Sequence, residues 1–457
     1  MISPIVTNKE KEPFPGALTA EVFSRFEQGL DSAAFHVAQN AVTQVAVEDV
    51  ALNRAVVFDT DHSFSHRLDD WAATNQKATG RCWMFAGLNL LRVGAMQKMG
   101  LKDFQFSQNY TMFCDKIERA NYFLEAVIET AGRDVDDRTV SYLAARPIGD
   151  GGQWNMFVNL VRKHGLLPQS AMPETQSSSA SGRMNSILTA KLRQAAKTLR
   201  DMFARGATND ELQAEKERTL EAFYRMLCIH LGTPPETITW QWMDKDREFH
   251  RDSEMTPAEF ATTYVDIPLD EYVCLVHDPR PTSPSGRTFT VEYLGNVVEG
   301  GIVKYLNVDV SLMKDLARDS ITGGEPVWFG CDTGKMSRRD LGIWDKDLYG
   351  YEALYETDLS LDKASRLQYH ESQMTHAMLF TGVDIVDDRV RRWRIENSWG
   401  EEPGRKGFFV MNDNWFDEHV FEVAVRRSQL PPELQEALDQ EPIVLPAWDP
   451  MGALASS

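Results

Sequence analysis

The chain of 457 residues contains only five cysteines, Cys82, Cys114, Cys228, Cys274 and Cys331, and no two of them form a C-x-x-C pair. Scattered thiols with no Cys/His cluster at zinc-like spacing argue against both a disulfide framework and a structural zinc site. Long apolar runs are missing too. No stretch reaches the roughly 18 uninterrupted apolar residues of a membrane-spanning helix, and "MISPIVTNKEKEPFPG" lacks the basic and apolar regions of a secretory leader. The expectation is a cytoplasmic protein with no membrane partner. Positive charge is also scarce, with 48 Lys and Arg against 68 Asp and Glu and a formal charge of −20. Such a surface repels phosphate backbones, so nucleic-acid binding is disfavoured. Internal repeats and long low-complexity tracts are absent.

What is present is enough apolar material, 42% of residues, for one large core or roughly two to three ordinary ones. "CWMFAGLNLLRVGAMQKMG" is apolar on almost every face and stops at Gly100, which predicts a helix enclosed by protein. "SQNYTMFCDKIERANYFLEAVIETAG" follows with Ser107 as N-cap. The Ser-rich "ETQSSSASGR" (174–183) reads as a flexible surface connection and a boundary. Beyond it, Ile187, Leu188, Leu192, Ala195, Leu199, Met202 and Phe203 recur at helical spacing, and a second helix opens on the capping-box pair Thr208 and Glu211. Together they predict a helical hairpin, read as an insertion. From about residue 270, short β-branched and aromatic segments such as "EYVCLVHD", "PVWFGCD", "HAMLFTGVDIVD" and "RRWRIENS" predict strands. Helices first and strands later is the order of an α+β fold, with two layers facing across a cleft.

Cys82, in "TNQKATGRCWMFAG", opens the apolar helix. A free cysteine is commonly just a small core residue. At a helix N-terminus, however, the dipole favours thiolate, and an imidazole from elsewhere would complete a nucleophile. The stretch "TGRCW" resembles the papain-like cysteine peptidases, with Gly80, Cys82 and Trp83 matching their C-G-[SA]-C-[WY] pattern. Thr79 stands where secreted relatives carry a disulfide cysteine. The resemblance implies that Gln76 joins the Cys82 backbone N–H in an oxyanion hole, that His376 in "MTHAMLFTGV" pairs with the thiolate, and that Asn397 in "RIENSWG" orients the imidazole. Trp399 would shield the His–Asn hydrogen bond, and Gly151 and Gly152 in "IGDGGQW" would offer backbone to an extended substrate. Two rivals are set aside. His370 lies in the polar "YHESQM", and Cys331 stands beside Asp332, which discourages ionisation.

Cys82 and His376 lie about 300 positions apart, roughly double the 130–150 usual in papain-like chains. The hairpin accounts for much of that excess. The blocks "FSHRLDDWAATNQKATGRCW", "PVWFGCDTGK", "MTHAMLFTGV" and "WRIENSWGEEPGRKGFFVMNDNWFDEHVFEV" are similar to the bleomycin hydrolase branch, on the side of bacterial aminopeptidase C. The resemblance implies a papain-like fold in which a helical domain carrying the cysteine faces an antiparallel sheet or barrel carrying His and Asn. The expected order is an N-terminal extension (1–60), a helical half (61–175), a helical insertion (176–270), a β-rich half (271–430) and a C-terminal arm (431–457).

The resemblance further implies a homohexamer that releases N-terminal residues from peptide substrates without a cofactor. The arm "EPIVLPAWDPMGALASS" is kept extended by Pro442, Pro446 and Pro450 and is too apolar for a solvated tail. By the resemblance it lies in the cleft, with Ala455 near the substrate's amino end, while Ser456 and Ser457 either project past the branch's usual terminus or are trimmed by the enzyme itself. An endopeptidase of the same fold, with the arm absent or mobile, is one alternative. A non-catalytic binding scaffold is the other.

Overall fold

In a computed structural model, residues 16–68 and 71–455 are described, and the structural statements below concern these. Ser456 and Ser457 lie outside them. The chain divides into two compact units, Met1–Val56 with Asp347–Ser360, and Val57–Lys346 with Leu361–Ser457. In the first unit, helices Ala20–Glu27, Ala33–Val42 and Val47–Ala51 leave Phe23, Phe26 and Val37 exposed. The second unit contains every residue of the expected site.

Its helical part begins with Cys82–Met99, buried along most of its length and closed by Gly100 in the left-handed conformation (φ 64°). The next helix, Gln108–Glu129, starts where Ser107 Oγ accepts the Tyr110 N–H. Trp154–His164 follows the Gly-Gly segment. The insertion hairpin is Gly182–Ala204 and Asn209–Leu231, the latter capped by Thr208 and Glu211 as expected. Its buried stripe on the first helix is Met184, Leu188, Leu192, Ala195 and Leu199, whereas Ile187 and Phe203 of the expected stripe are exposed. The insertion is not wholly helical. Ile238–Met243 and Phe249–Met255 form an antiparallel ribbon, and Trp242 of that ribbon donates to the Met99 carbonyl. Nor is "ETQSSSASGR" a flexible connection. Thr175 caps a short helix, Gln176–Ser179, and Ser178 and Ser181 are buried.

Among the described residues the sheet has twelve strands. Its centre runs Tyr272–Val276, Val420–Arg426, Val327–Cys331, His376–Val386, Arg389–Glu396 and Phe408–Asn412, paired antiparallel in that order. The expectation of a purely antiparallel sheet needs correction, because three pairings are parallel. Tyr272–Val276 runs with Tyr305–Asn307, Phe408–Asn412 with Ile343–Trp344, and Thr288–Val291 with the arm strand Ile443–Leu445. Each parallel pair is joined by a long connection, residues 277–304, 345–407 and 292–442, that returns the chain to the same end of the sheet, and short apolar runs carry no directional signal.

Strand alternation divides the core in two. Trp328, Ala377 and Leu379 pack into the cluster that contains the cysteine helix. Val327, Phe329, Met378 and Phe380 enter the cluster on the opposite face. The cysteine helix is thereby laid against the strands that bear the histidine and its neighbours.

Candidate active site

Cys82 is fully buried and is the first residue of its helix. At that position its backbone N–H belongs to the turn whose amides lack intrahelical acceptors, and the helix dipole favours negative charge on its sulfur. The next residue fixes the helix against the sheet, since Trp328 Nε1 donates to the Trp83 carbonyl at 3.0 Å.

His376 opens its strand directly opposite Cys331, and both are buried. His376 Nε2 lies 2.9 Å from Asn397 Oδ1. An amide oxygen only accepts, so Nε2 carries the hydrogen and Nδ1 is the nitrogen left to exchange a proton with sulfur. Trp399 stacks on the imidazole with ring centroids 5.0 Å apart and an interplanar angle of 30°.

The helix that Cys82 opens packs on the strand that His376 opens, with Cys82 and Ala377 in one buried cluster. The Cys331 thiol, opposite His376, is pushed well up by burial, then by Asp332 and by Cys82. The rival thiol lines the site in a protonated state, and the rival His370 sits exposed in a turn with φ 60°.

Gln76 is buried and joined to the Asn397 loop at two points. Its backbone N–H donates to the Ser398 carbonyl at 2.8 Å, and its Oε1 accepts from Ser398 Oγ at 2.6 Å. Its Nε2 donates to the Thr79 carbonyl at 2.5 Å. The amide orientation is thus set by Ser398, which sequence reasoning passed over inside the very "ENSWG" block it used.

The Gly152 N–H donates to the Ala455 carbonyl at 3.2 Å in an antiparallel bridge, so the arm lies along the Gly-Gly segment. A Cβ on Gly152 would collide with the Trp83 indole, which is the local reason for glycine there. The Gly151 carbonyl is taken by Arg119 Nη2.

Ala455 itself is fully buried. Upstream, the arm is fastened by Gln153 Nε2 to the Ala453 carbonyl (2.6 Å), by Arg280 to Asp449 (2.8 Å) and by Arg138 over the Trp448 ring (3.8 Å). Sequence reasoning also missed Glu396, the residue before Asn397. It accepts from Trp71 Nε1 (2.6 Å), Asn89 Nδ2 (2.9 Å) and Arg92 Nη2 (2.6 Å), tying the cysteine helix to the asparagine strand. Burial raises the Glu396 carboxyl above its usual range, with Arg92 and Trp71 pulling the other way.

Comparison with known proteins agrees with this arrangement. The Peptidase C1-like family profile matches residues 17–452. Human bleomycin hydrolase is 44% identical over 431 residues, covering 92% of this chain and 95% of that one. Aminopeptidase C of Listeria monocytogenes is 46% identical over 392 residues, covering 86% and 88%. The crystal structure of PepW from Lactobacillus rhamnosis HN001 superposes with a TM-score of 0.95 at 44% identity, covering 97% of this chain and all of that one. With a buried thiol opening a helix, an Asn-held imidazole and an arm docked on the Gly-Gly segment, and with relatives matching nearly end to end, the chain belongs to the Peptidase C1-like family, in the branch of the bleomycin hydrolases and aminopeptidase C.

Proposed function

We propose that the protein is a thiol aminopeptidase of the reducing cytoplasm, releasing N-terminal residues from peptides with broad side-chain tolerance. The observation that carries this reading is the Gly152–Ala455 bridge, because an arm seated along the Gly-Gly segment stops a peptide from running past it. Cys82 sulfur attacks the first peptide carbonyl. The Cys82 N–H and the second Nε2 hydrogen of Gln76 receive the oxyanion, a contribution of about 10²- to 10³-fold per donor. The His376 imidazolium protonates the departing amine and then, as the neutral base, draws a proton from the water that cleaves the thioester. Asn397 keeps the ring in position, and Trp399 keeps water from the bond that does so. By the resemblance, a carboxylate at the arm's end, whether of the full or of a trimmed chain, pairs with the substrate's α-amino group. A hexamer, as the resemblance implies, would be read by light scattering.

The test compares a free peptide with its N-acetylated form. Wild type should cleave the first and spare the second, and Cys82→Ala should fold and cleave neither. Equal cleavage of both by wild type would replace this reading with an endopeptidase. Turnover by Cys82→Ala would remove the thiol mechanism.

A further inference from the structure

The loop that delivers Cys82 has no covalent anchor. All five cysteines are free thiols, and Thr79 occupies the position of a disulfide cysteine in the secreted relatives the sequence resembles. Yet Thr79, Gly80, Arg81 and Cys82 are all buried, so something else holds them.

That something converges on Asp150. Its carboxylate accepts from four donors: the Gly80 backbone N–H (3.2 Å), Lys116 Nζ (2.6 Å), Asn185 Nδ2 (2.7 Å) and Ser181 Oγ. Its carbonyl accepts from Trp83 Nε1 at 2.7 Å. Lys116 also donates to the Gly149 carbonyl at 2.5 Å, so the ion pair fixes the residues leading into Gly151–Gly152. Burial raises the Asp150 carboxyl, but Lys116 and the hydroxyl and amide donors outweigh it and hold it well below the usual carboxylate range. A second contact reinforces the first. Arg81 pairs bidentately with Glu174 (2.9 and 2.8 Å), and the Ala78 N–H donates to the Ser179 carbonyl at 3.0 Å.

We propose that Asp150 is a positioning residue for acyl transfer, a polar staple that joins the Thr79–Cys82 loop to the Gly151–Gly152 wall and to the first turn of the insertion, where a secreted relative would use a disulfide. The proposal rests on Cys82 being the nucleophile. Both oxyanion donors touch this loop, the Cys82 amide as part of it and the Gln76 carboxamide through one anchor, its others being on Ser398. The Cys82 amide follows Gly80 closely in the chain, and the Gln76 carboxamide is held by the Thr79 carbonyl. The imidazole does not depend on it, since its partner is Asn397. Loosening the staple should therefore misplace the oxyanion donors while the sulfur and imidazole remain paired. Asparagine cannot replace the aspartate, because its amide group would set N–H against N–H in a site built of four donors.

The experiment uses Asp150→Asn and, as a milder change within the insertion, the double variant Ser181→Ala/Asn185→Ala. For each, kcat and KM for an aminoacyl amide are measured beside the rate of Cys82 alkylation by iodoacetamide, a reaction that forms no oxyanion. Asp150→Asn should lower kcat by roughly tenfold or more, with KM and the alkylation rate each within about twofold to threefold of wild type. The double variant should show the same split at roughly threefold. Hydrolysis unchanged in both variants, or alkylation falling in step with hydrolysis in the folded double variant, overturns the staple. If wild-type alkylation goes to another cysteine, the nucleophile assignment fails instead.

Discussion

Two buried glutamates on the same sheet mark regions built to opposite rules. At the seam between the cysteine helix and the asparagine strand, Glu396 has three donors, and the Arg92 guanidinium rests over the Trp71 ring at 5.5 Å. On the floor beneath the arm, the Cys274 thiol donates to Asn155 Oδ1 at 3.4 Å, and Glu422 Oε1, the Tyr305 hydroxyl and Gln153 Oε1 have no protein partner. Those three residues line a cavity of about 10 Å³ with Pro450 and Met451, room for about one water. Where a buried carboxylate is matched by donors, it can keep two layers in register. Where it is not, burial pushes Glu422 up to about 7 and the site sheds its charge instead. The catalytic geometry hangs on the first kind of region. The arm is held by Gln153, Arg280 and Arg138 rather than by Glu422.

The largest test of that contrast is Glu396→Ala. It should cost about 3–5 kcal/mol, because Arg92 is left buried with only the more distant Asp103 carboxylate, at 4.0 Å, as counter-ion, and a denaturant titration should show an early midpoint or no folded baseline. A cost near zero would mean that the seam does not carry the register.

Glu422→Gln should act in the other direction and depend on pH. The folded-state carboxyl near 7 lies above the ordinary 4.5, so the folded chain holds this proton longer than the unfolded one. Its favourable contribution is full below about 4.5 and is lost as pH rises through about 7. The variant should match wild type in acid and exceed it by about 1–3 kcal/mol above pH 7. Parallel stability curves would contradict the assignment. The smallest effect is expected for Tyr305→Phe, which removes a hydroxyl with no protein partner. Its midpoint should move by less than about 1 kcal/mol.

Much of the site was legible because its chemistry is written locally. "GRCW" announces a thiol at a helix start, and "MTHAMLF" and "RIENSWG" put histidine and asparagine at strand ends where the structure places them. Ser107 and the Thr208–Glu211 box were readable for the same reason, since a cap is satisfied within a few residues. What escaped is pairing across distance. Nothing near Asp150 reveals that Lys116, Ser181 and Asn185 will converge on it, and nothing near Glu396 names Arg92. The serine-rich run was misread because composition alone does not show which hydroxyls find partners. In the structure Ser178 bonds Glu174, and Ser181 bonds Asp150. Parallel strand pairs were missed because direction is decided by the connection, not by the strand.

The arm does a second job at some distance from the thiol. Its strand Ile443–Leu445 lies along Phe289–Val291 and ends the sheet on that side. An uncovered row of backbone amides and carbonyls is a template for sticking to other chains, and a three-residue border keeps such a template short. A chain cut before Ile443 would bare that row and invite aggregation, whereas one cut at Pro450 would empty the cleft and leave the border intact. Loss of exopeptidase character and loss of solubility can therefore be separated by a few residues of truncation.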